Sequence, residues 1–150
     1  MGTHYQGTTE EMSALDVYIK LSRAAEAVTA RINGYLKNEN LTISQFGVLE
    51  AIYHLGPMRQ NQLGEKILKS GGNMTMVIDN LEKRGLVQRE RNPNDRRSII
   101  VHLTETGQML IDALFPRHVQ IVVKEIGVLT PEEQVQLAAL CKKVGLGQTE

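Results

Sequence analysis

The chain has one cysteine in 150 residues, Cys141. That excludes an intrachain disulfide framework and any zinc site built on several cysteines. No apolar run reaches the roughly 18 residues of a membrane-spanning helix. No charged-then-apolar signal segment opens the chain, so a cytoplasmic protein is expected. Gly2 follows Met1, but Gln6 stands where N-myristoylation requires Ser or Thr. Signatures of catalysis are missing too: there is no Gly-x-Ser-x-Gly elbow, no glycine-rich phosphate loop, and no Cys and His placed for nucleophilic attack. The run Ser70-Gly71-Gly72-Asn73 is too short for a phosphate loop and lacks its lysine. The four histidines, at 4, 54, 102 and 118, have no metal-ligand spacing. No enzyme, metal or cofactor is therefore expected.

Net charge is absent as well, with 17 Lys and Arg against 17 Asp and Glu, but the balance conceals a polarity. Residues 59–103 carry nine cations against five acids, a local +4, and the rest carries eight against twelve, a local −4. A basic middle between acidic ends suggests a polyanion-binding surface carried on a frame with another task. At 150 residues the chain suits one domain with a substantial core.

What is present is mainly helical periodicity. Met12, Leu15, Tyr18, Leu21, Ala25, Val28, Ile32 and Tyr35 recur at three-four spacing, which predicts one long amphipathic helix from about 12 to 36. Thr42 with Gln45 forms a capping box for a second helix, ended by Gly56-Pro57. A short helix is predicted from Gln60 to Leu68. Another follows Ser70 or Gly71, with Val77, Ile78 and Leu81 turned to the core and Gly85 as its left-handed terminator. Two short strands flank the Asn92–Asp95 turn. Thr104 caps a further helix that Pro116 is expected to bend. Thr130, Pro131 and Glu133 start the last, whose apolar face holds Leu137, Leu140, Cys141 and Val144. On that face Cys141 reads as a buried structural thiol. Lys83 and Arg84 are expected to complement the dipole at the end of their own helix.

This order, a mainly α chain with a small β-wing, is a winged helix-turn-helix. The helix after Ser70 begins with small polar residues, Gly71, Gly72, Asn73 and Thr75, so its backbone can approach base edges. The wing concentrates Arg89, Arg91, Arg96 and Arg97 around one tight turn. Exposed ion pairs contribute only about 0–1 kcal/mol, so fold stability does not explain that cluster; an arginine on a narrow ribbon suits the minor groove. Arg89 and Arg91 on the incoming strand are expected to meet phosphates, as are Lys69 and Arg59. The outer helices have apolar faces larger than the small middle can cover, and mutual burial between two copies solves this economically.

The stretch DNLEKRGLVQRERNPNDRRSIIVHLTETG (79–107) resembles the signature of the MarR family of bacterial transcriptional regulators, and LTISQFGVLEAIYHLGPM (41–58) is similar to the family's second-helix segment. The resemblance implies a homodimer on a pseudo-palindromic operator of double-stranded DNA, with residues 1–41 and 104–150 as dimerisation helices and 42–103 as the DNA-binding region. It places base reading on Gly71, Gly72, Asn73, Thr75 and Met76, the wing arginine on Arg97, its orienter on Asp95 and a phosphate contact on Arg96. Met76 can offer a base only apolar contact, such as to a thymine methyl. The family's effector crevice would fall near Tyr35, Tyr53, His54 and Met58, and a small phenolic or lipophilic effector releasing a repressor is the implied regulation. The same residues would serve an activator or a ligand-independent regulator. A winged-helix module reassigned to protein contacts would have no need of Asp95, Arg96 and Arg97.

Overall fold

The computed structural model describes residues 2–67 and 71–147. The elements in order are α1 (Thr9–Asn33), a 3-10 turn (Gly34–Glu39), α2 (Ile43–Leu55), β1 (Met58–Arg59), α3 (Gln60–Lys66), α4 (Gly71–Lys83), β2 (Val87–Asn92), β3 (Asp95–Leu103), α5 (Glu105–Ile126) and α6 (Pro131–Leu146). The chain divides into two compact units, Asn33–His118 and the pair Met1–Ile32 with Val119–Glu150. Among the described residues no helix is long and apolar enough to cross a membrane.

The unit Asn33–His118 is a winged helix. Three helices pack beside an antiparallel sheet of order β1-β3-β2. Its core holds Leu36, Phe46, Val48, Leu49, Ile52, Leu63, Met74, Ile78, Leu81, Val87, Val101, Ile111 and Leu114, all buried. Each aliphatic side chain so buried contributes about 1.5–3 kcal/mol. The unit is wider than residues 42–103, because Tyr35 and Leu36 before that span and Ile111 and Leu114 after it complete the same core. Gln45, buried among apolar neighbours, is satisfied by the capping box: its Oε1 accepts from the Thr42 N–H at 3.0 Å, and its own N–H donates to Thr42 Oγ1 at 3.1 Å.

The expected two-stranded ribbon is a three-stranded sheet. Met58 pairs with Val101 and Arg59 with Ile100. Two residues are too few to show a strand's alternation, which is why β1 leaves no trace in the periodicity. The first helix ends at Asn33 rather than near residue 36, where Gly34 opens a 3-10 turn. Pro116 lies inside one continuous 22-residue helix. It withholds a donor only from the Asp112 carbonyl, and both residues lie on the exposed side, where water can substitute.

The corner from β3 into α5 explains the Leu-Thr-x-x-Gly pattern of 103–107. Thr104 Oγ1 accepts the Gly107 N–H at 3.0 Å and donates to the Gly85 carbonyl at 2.6 Å. A Cβ at Gly107 would stand 2.0 Å from the Leu86 carbonyl oxygen, so only glycine lets α5 begin this close to the end of α4. Gly85 itself, at φ +72°, takes the left-handed conformation that ends α4.

In the other unit, α1 buries only Ile32 and α6 buries nothing. The start of α6 is as expected, with Thr130 Oγ1 accepting the Glu133 N–H at 3.2 Å and Glu133 Oε1 accepting the Thr130 N–H at 2.9 Å. Hydrogen bonding from the Thr130 backbone N–H, and then from its hydroxyl, holds the Glu133 carboxyl below its usual range. Cys141, expected to be buried, is exposed. The apolar face that carries it is uncovered among the described residues, and Leu137, Leu140 and Val144 are exposed beside it.

Candidate nucleic-acid interface

Helix α4 divides cleanly by spacing. Met74, Ile78 and Leu81, one side of the helix at i, i+4 and i+7, are fully buried; Met74 is the member of this stripe that local pattern reading misses. The opposite side presents Asn73, Thr75 and Met76, the last 64% exposed. Asn73 and Thr75 also interact within the protein. One such contact comes from α3, where Gln60 Nε2 donates to Thr75 Oγ1 at 3.0 Å. Gly71 and Gly72 open the helix, while Lys69 lies outside the described residues.

The wing projects beside this helix. Side-chain acceptors shape its turn: Asn92 Oδ1 takes the Asn94 N–H and Asp95 Oδ1 takes the Arg97 N–H, both at 3.0 Å. Asp95 therefore fixes the backbone under Arg97 rather than holding its guanidinium, a change from the orienting role expected of it. Arg91, Arg96 and Arg97 are exposed, as is Arg59 at the edge strand. Among the described residues none of these four has an ion-pair partner. An open cleft of about 850 Å3 runs between wing and helices, lined by Arg59, Gln60, Met74, Asp95, Arg97 and Ser98 among others. Arg59 and Arg97 line the cleft together with the carboxylates of Glu65 and Asp95, while Arg91 and Arg96 stand exposed outside it. The anion-receiving part of this surface is therefore the wing and edge strand beside the exposed helix face rather than the cleft itself.

Two other cations depart from expectation. Arg89 is not turned outward. Its guanidinium pairs with Asp79, approaches Glu82 at 3.4 Å and donates to the Thr75 carbonyl at 3.2 Å, leaving the side chain 21% exposed. Its Nε is buried without a partner among the described residues. Arg84 does not serve the end of its own helix. It donates to the carbonyls of Asn40 at 2.6 Å and Glu39 at 3.4 Å, the unsatisfied end of the 3-10 turn.

Of the four effector-crevice candidates, three join one aromatic cluster. The Tyr35 hydroxyl lies 2.9 Å from His118 Nδ1, and Phe46 and Phe115 rings flank the same imidazole at 4.6 and 6.1 Å. Phe115 in turn meets His54 at 4.4 Å and Tyr53 at 6.0 Å. Burial pushes the Tyr35 phenol up to about 12, against the lowering effect of Arg117, whose guanidinium sits 5.1 Å from its ring centre. Burial also lowers His118, opposed by the Glu50 carboxylate. A phenol and an imidazole at this distance share one hydrogen bond, whose donor is set by the imidazole tautomer. Tyr53 is raised chiefly by its hydrogen bond to Asp112. Met58 stands apart on β1. Phe115, His118 and Arg117 are the members that sequence reading overlooks; Phe115 and His118 share one side of α5 at i, i+3, which is the signal available.

The MarR family model matches residues 41–99. The chain is 36% identical over 133 residues to the HTH-type transcriptional regulator YkoM of Bacillus subtilis, a match covering 89% of this chain and 86% of that one. It is equally similar, at 36% over 133 residues, to the HTH-type transcriptional regulator MhqR of the same organism, across 89% and 92% of the two chains. Among solved structures, Bordetella bronchiseptica BpsR, whose DNA binding is regulated by 6-hydroxynicotinic acid, superposes with a TM-score of 0.77 at 29% identity, over 86% of this chain and 98% of that one. Both Bacillus relatives bear the name of HTH-type transcriptional regulators. Likeness in sequence along most of the chain, together with likeness in fold, settles the relationship: the chain belongs to the MarR family of winged helix-turn-helix transcriptional regulators.

Proposed function

We propose that this regulator works as a homodimeric repressor on a pseudo-palindromic operator. Helix α4 reads bases in the major groove through Gly71, Gly72, Asn73, Thr75 and Met76, and Arg97 enters the minor groove from the wing. Arg59, Arg91, Arg96 and Lys69 contact phosphates. The observation that carries this reading is the set of exposed arginines, Arg59, Arg91, Arg96 and Arg97, without an ion-pair partner among the described residues and placed around an exposed helix face in a chain with no net charge. Dimerisation through residues 1–41 and 104–150 is supported by the apolar side chains left uncovered on α1, α5 and α6, among them Val17, Tyr18, Val123, Leu140 and Val144. Two α4 helices then present themselves to half-sites about 34 Å apart, one turn of DNA.

A small phenolic or lipophilic molecule at the Tyr35–His118 cluster releases the operator by favouring a mis-spaced dimer. A tenfold loss of occupancy needs about 1.4 kcal/mol of preference for that form. The regulation of BpsR by 6-hydroxynicotinic acid supports an aromatic effector and makes that compound the first to try.

The test is selection from a randomised duplex pool near physiological salt, followed by transcription in vitro from a promoter carrying the selected site. An inverted repeat with half-site centres one turn apart, and less transcript with protein present, is the expected result. A folded protein that enriches no sequence overturns the interface; more transcript overturns repression alone.

A further inference from the structure

Arg89 touches α4 at Thr75, Asp79 and Glu82, three residues at i, i+4 and i+7 along one side of the helix. Its backbone N–H adds a bond to Glu82 Oε2 at 3.0 Å. One side chain from the wing thus spans two turns of the base-reading helix. From α3, Gln60 holds Thr75 by its hydroxyl. On the sheet side Arg89 is paired in register with Val101 of the central strand, which is fully buried. The strand then runs on to Arg91 and Asn92 at the wing turn.

The geometry points to Arg89 as a positioning residue that sets the angle between wing and α4, and so couples base reading in the major groove to arginine entry in the minor groove. The inference rests on the DNA-binding reading above. Asn92 is three residues beyond Arg89, about 10 Å along the strand. A tilt of about 10° there displaces the wing tip by about 2 Å, well beyond the ~0.5 Å tolerance of a specific contact. A direct phosphate role is disfavoured because both terminal nitrogens already face acceptors on α4. A planar fork suits three acceptors along a helix, and a lysine ammonium at the same place cannot reach them together.

Arg89→Lys keeps the charge and removes the fork. Its affinity is measured by fluorescence anisotropy on the selected operator and on random duplex, across a salt series. The expected result is a loss of about tenfold in the ratio of specific to non-specific affinity, with the salt slope unchanged. Asn73→Ala and Arg97→Ala should moreover become additive in the Arg89→Lys background, having been coupled in the natural chain. A lower melting temperature with both the ratio and the coupling intact would mean that Arg89 only stabilises the fold, and the inference fails. So it does if Arg89→Ala, which removes the charge, lowers specific and non-specific affinities together and the salt slope by about one, the mark of a phosphate contact. Should Arg89→Lys not fold, Asp79→Asn with Glu82→Gln loosens the same links from the helix side, and an unchanged ratio there overturns the inference. A natural chain that prefers no duplex overturns the DNA reading and this inference together; a preference that survives Arg89→Lys overturns this inference alone.

Discussion

Among the described residues, every buried hydrophobic side chain except Ile32 lies within residues 33–118, and α6 buries none. The two regions also differ, more mildly, in charge: residues 33–118 carry eleven Lys and Arg against nine Asp and Glu, with the basic excess at 59–103, and the remainder carries six against eight. A region with its own core and a surplus of exposed arginine is complete as a folded body and incomplete without an anion. Helices with apolar faces and no core are incomplete without cover. The comparison teaches that one neutral, unexceptional composition can encode two different unmet demands, which the proposed function assigns to DNA and to a second copy of the chain.

The contrast can be broken where it is sharpest. Leu49, wholly buried on α2, should cost about 2–5 kcal/mol when replaced by alanine. Melting at several protein concentrations would show it, and a loss under 1 kcal/mol would mean that residues 33–118 lack the tight core ascribed to them. Leu140, 60% exposed on α6, should behave differently. Leu140→Asp should weaken self-association by at least about tenfold, as expected for losing a buried leucine at an interface, while binding of duplex by residues 33–118 changes only through the loss of the second half-site. Sedimentation checks this, and unaltered association would remove α6 from the interface.

Smaller effects sharpen the boundary. Thr104→Ala removes the cap of α5 and the bond to the Gly85 carbonyl, and should cost about 1 kcal/mol in stability, within the range for lost N-caps. A neutral outcome in urea titration would deny that this corner ties α4 to α5. The smallest effect concerns pH. An unfolded histidine titrates near about 6.5, and burial holds folded His118 lower. The folded state therefore binds fewer protons, so its stability is fully present above about 6.5 and is lost as pH falls from there toward the folded value. His118→Gln should flatten that loss between about pH 7 and 5; an identical pH profile would mean that the imidazole is not desolvated beside Tyr35.

Local chemistry was legible in the sequence wherever three or four residues decide the outcome. The boxes at Thr42 and Thr130, the left-handed Gly85 and the turn of the wing each depend on near neighbours. Long-range facts were not. Tyr35 and His118 are 83 residues apart, and nothing local to either announces the other. Arg89 sits in an arginine-rich stretch and resembles its exposed neighbours by composition. Only the packing of β2 against α4 turns it inward to Asp79 and Glu82. Cys141 shows the complementary failure: its helical face is apolar as periodicity requires, but periodicity does not say whether the cover comes from the same chain.

The most direct test sets one cation from each region against the other. Arg97→Ala at the wing and Lys124→Ala on α5 remove the same charge from exposed positions, and each variant is titrated against the selected operator with its melting temperature recorded. The account predicts that Arg97→Ala weakens binding by about 1–3 kcal/mol with melting nearly unchanged, and that Lys124→Ala leaves affinity within about twofold. Equal losses from both would reduce the interaction to non-specific charge and contradict the assignment of the wing.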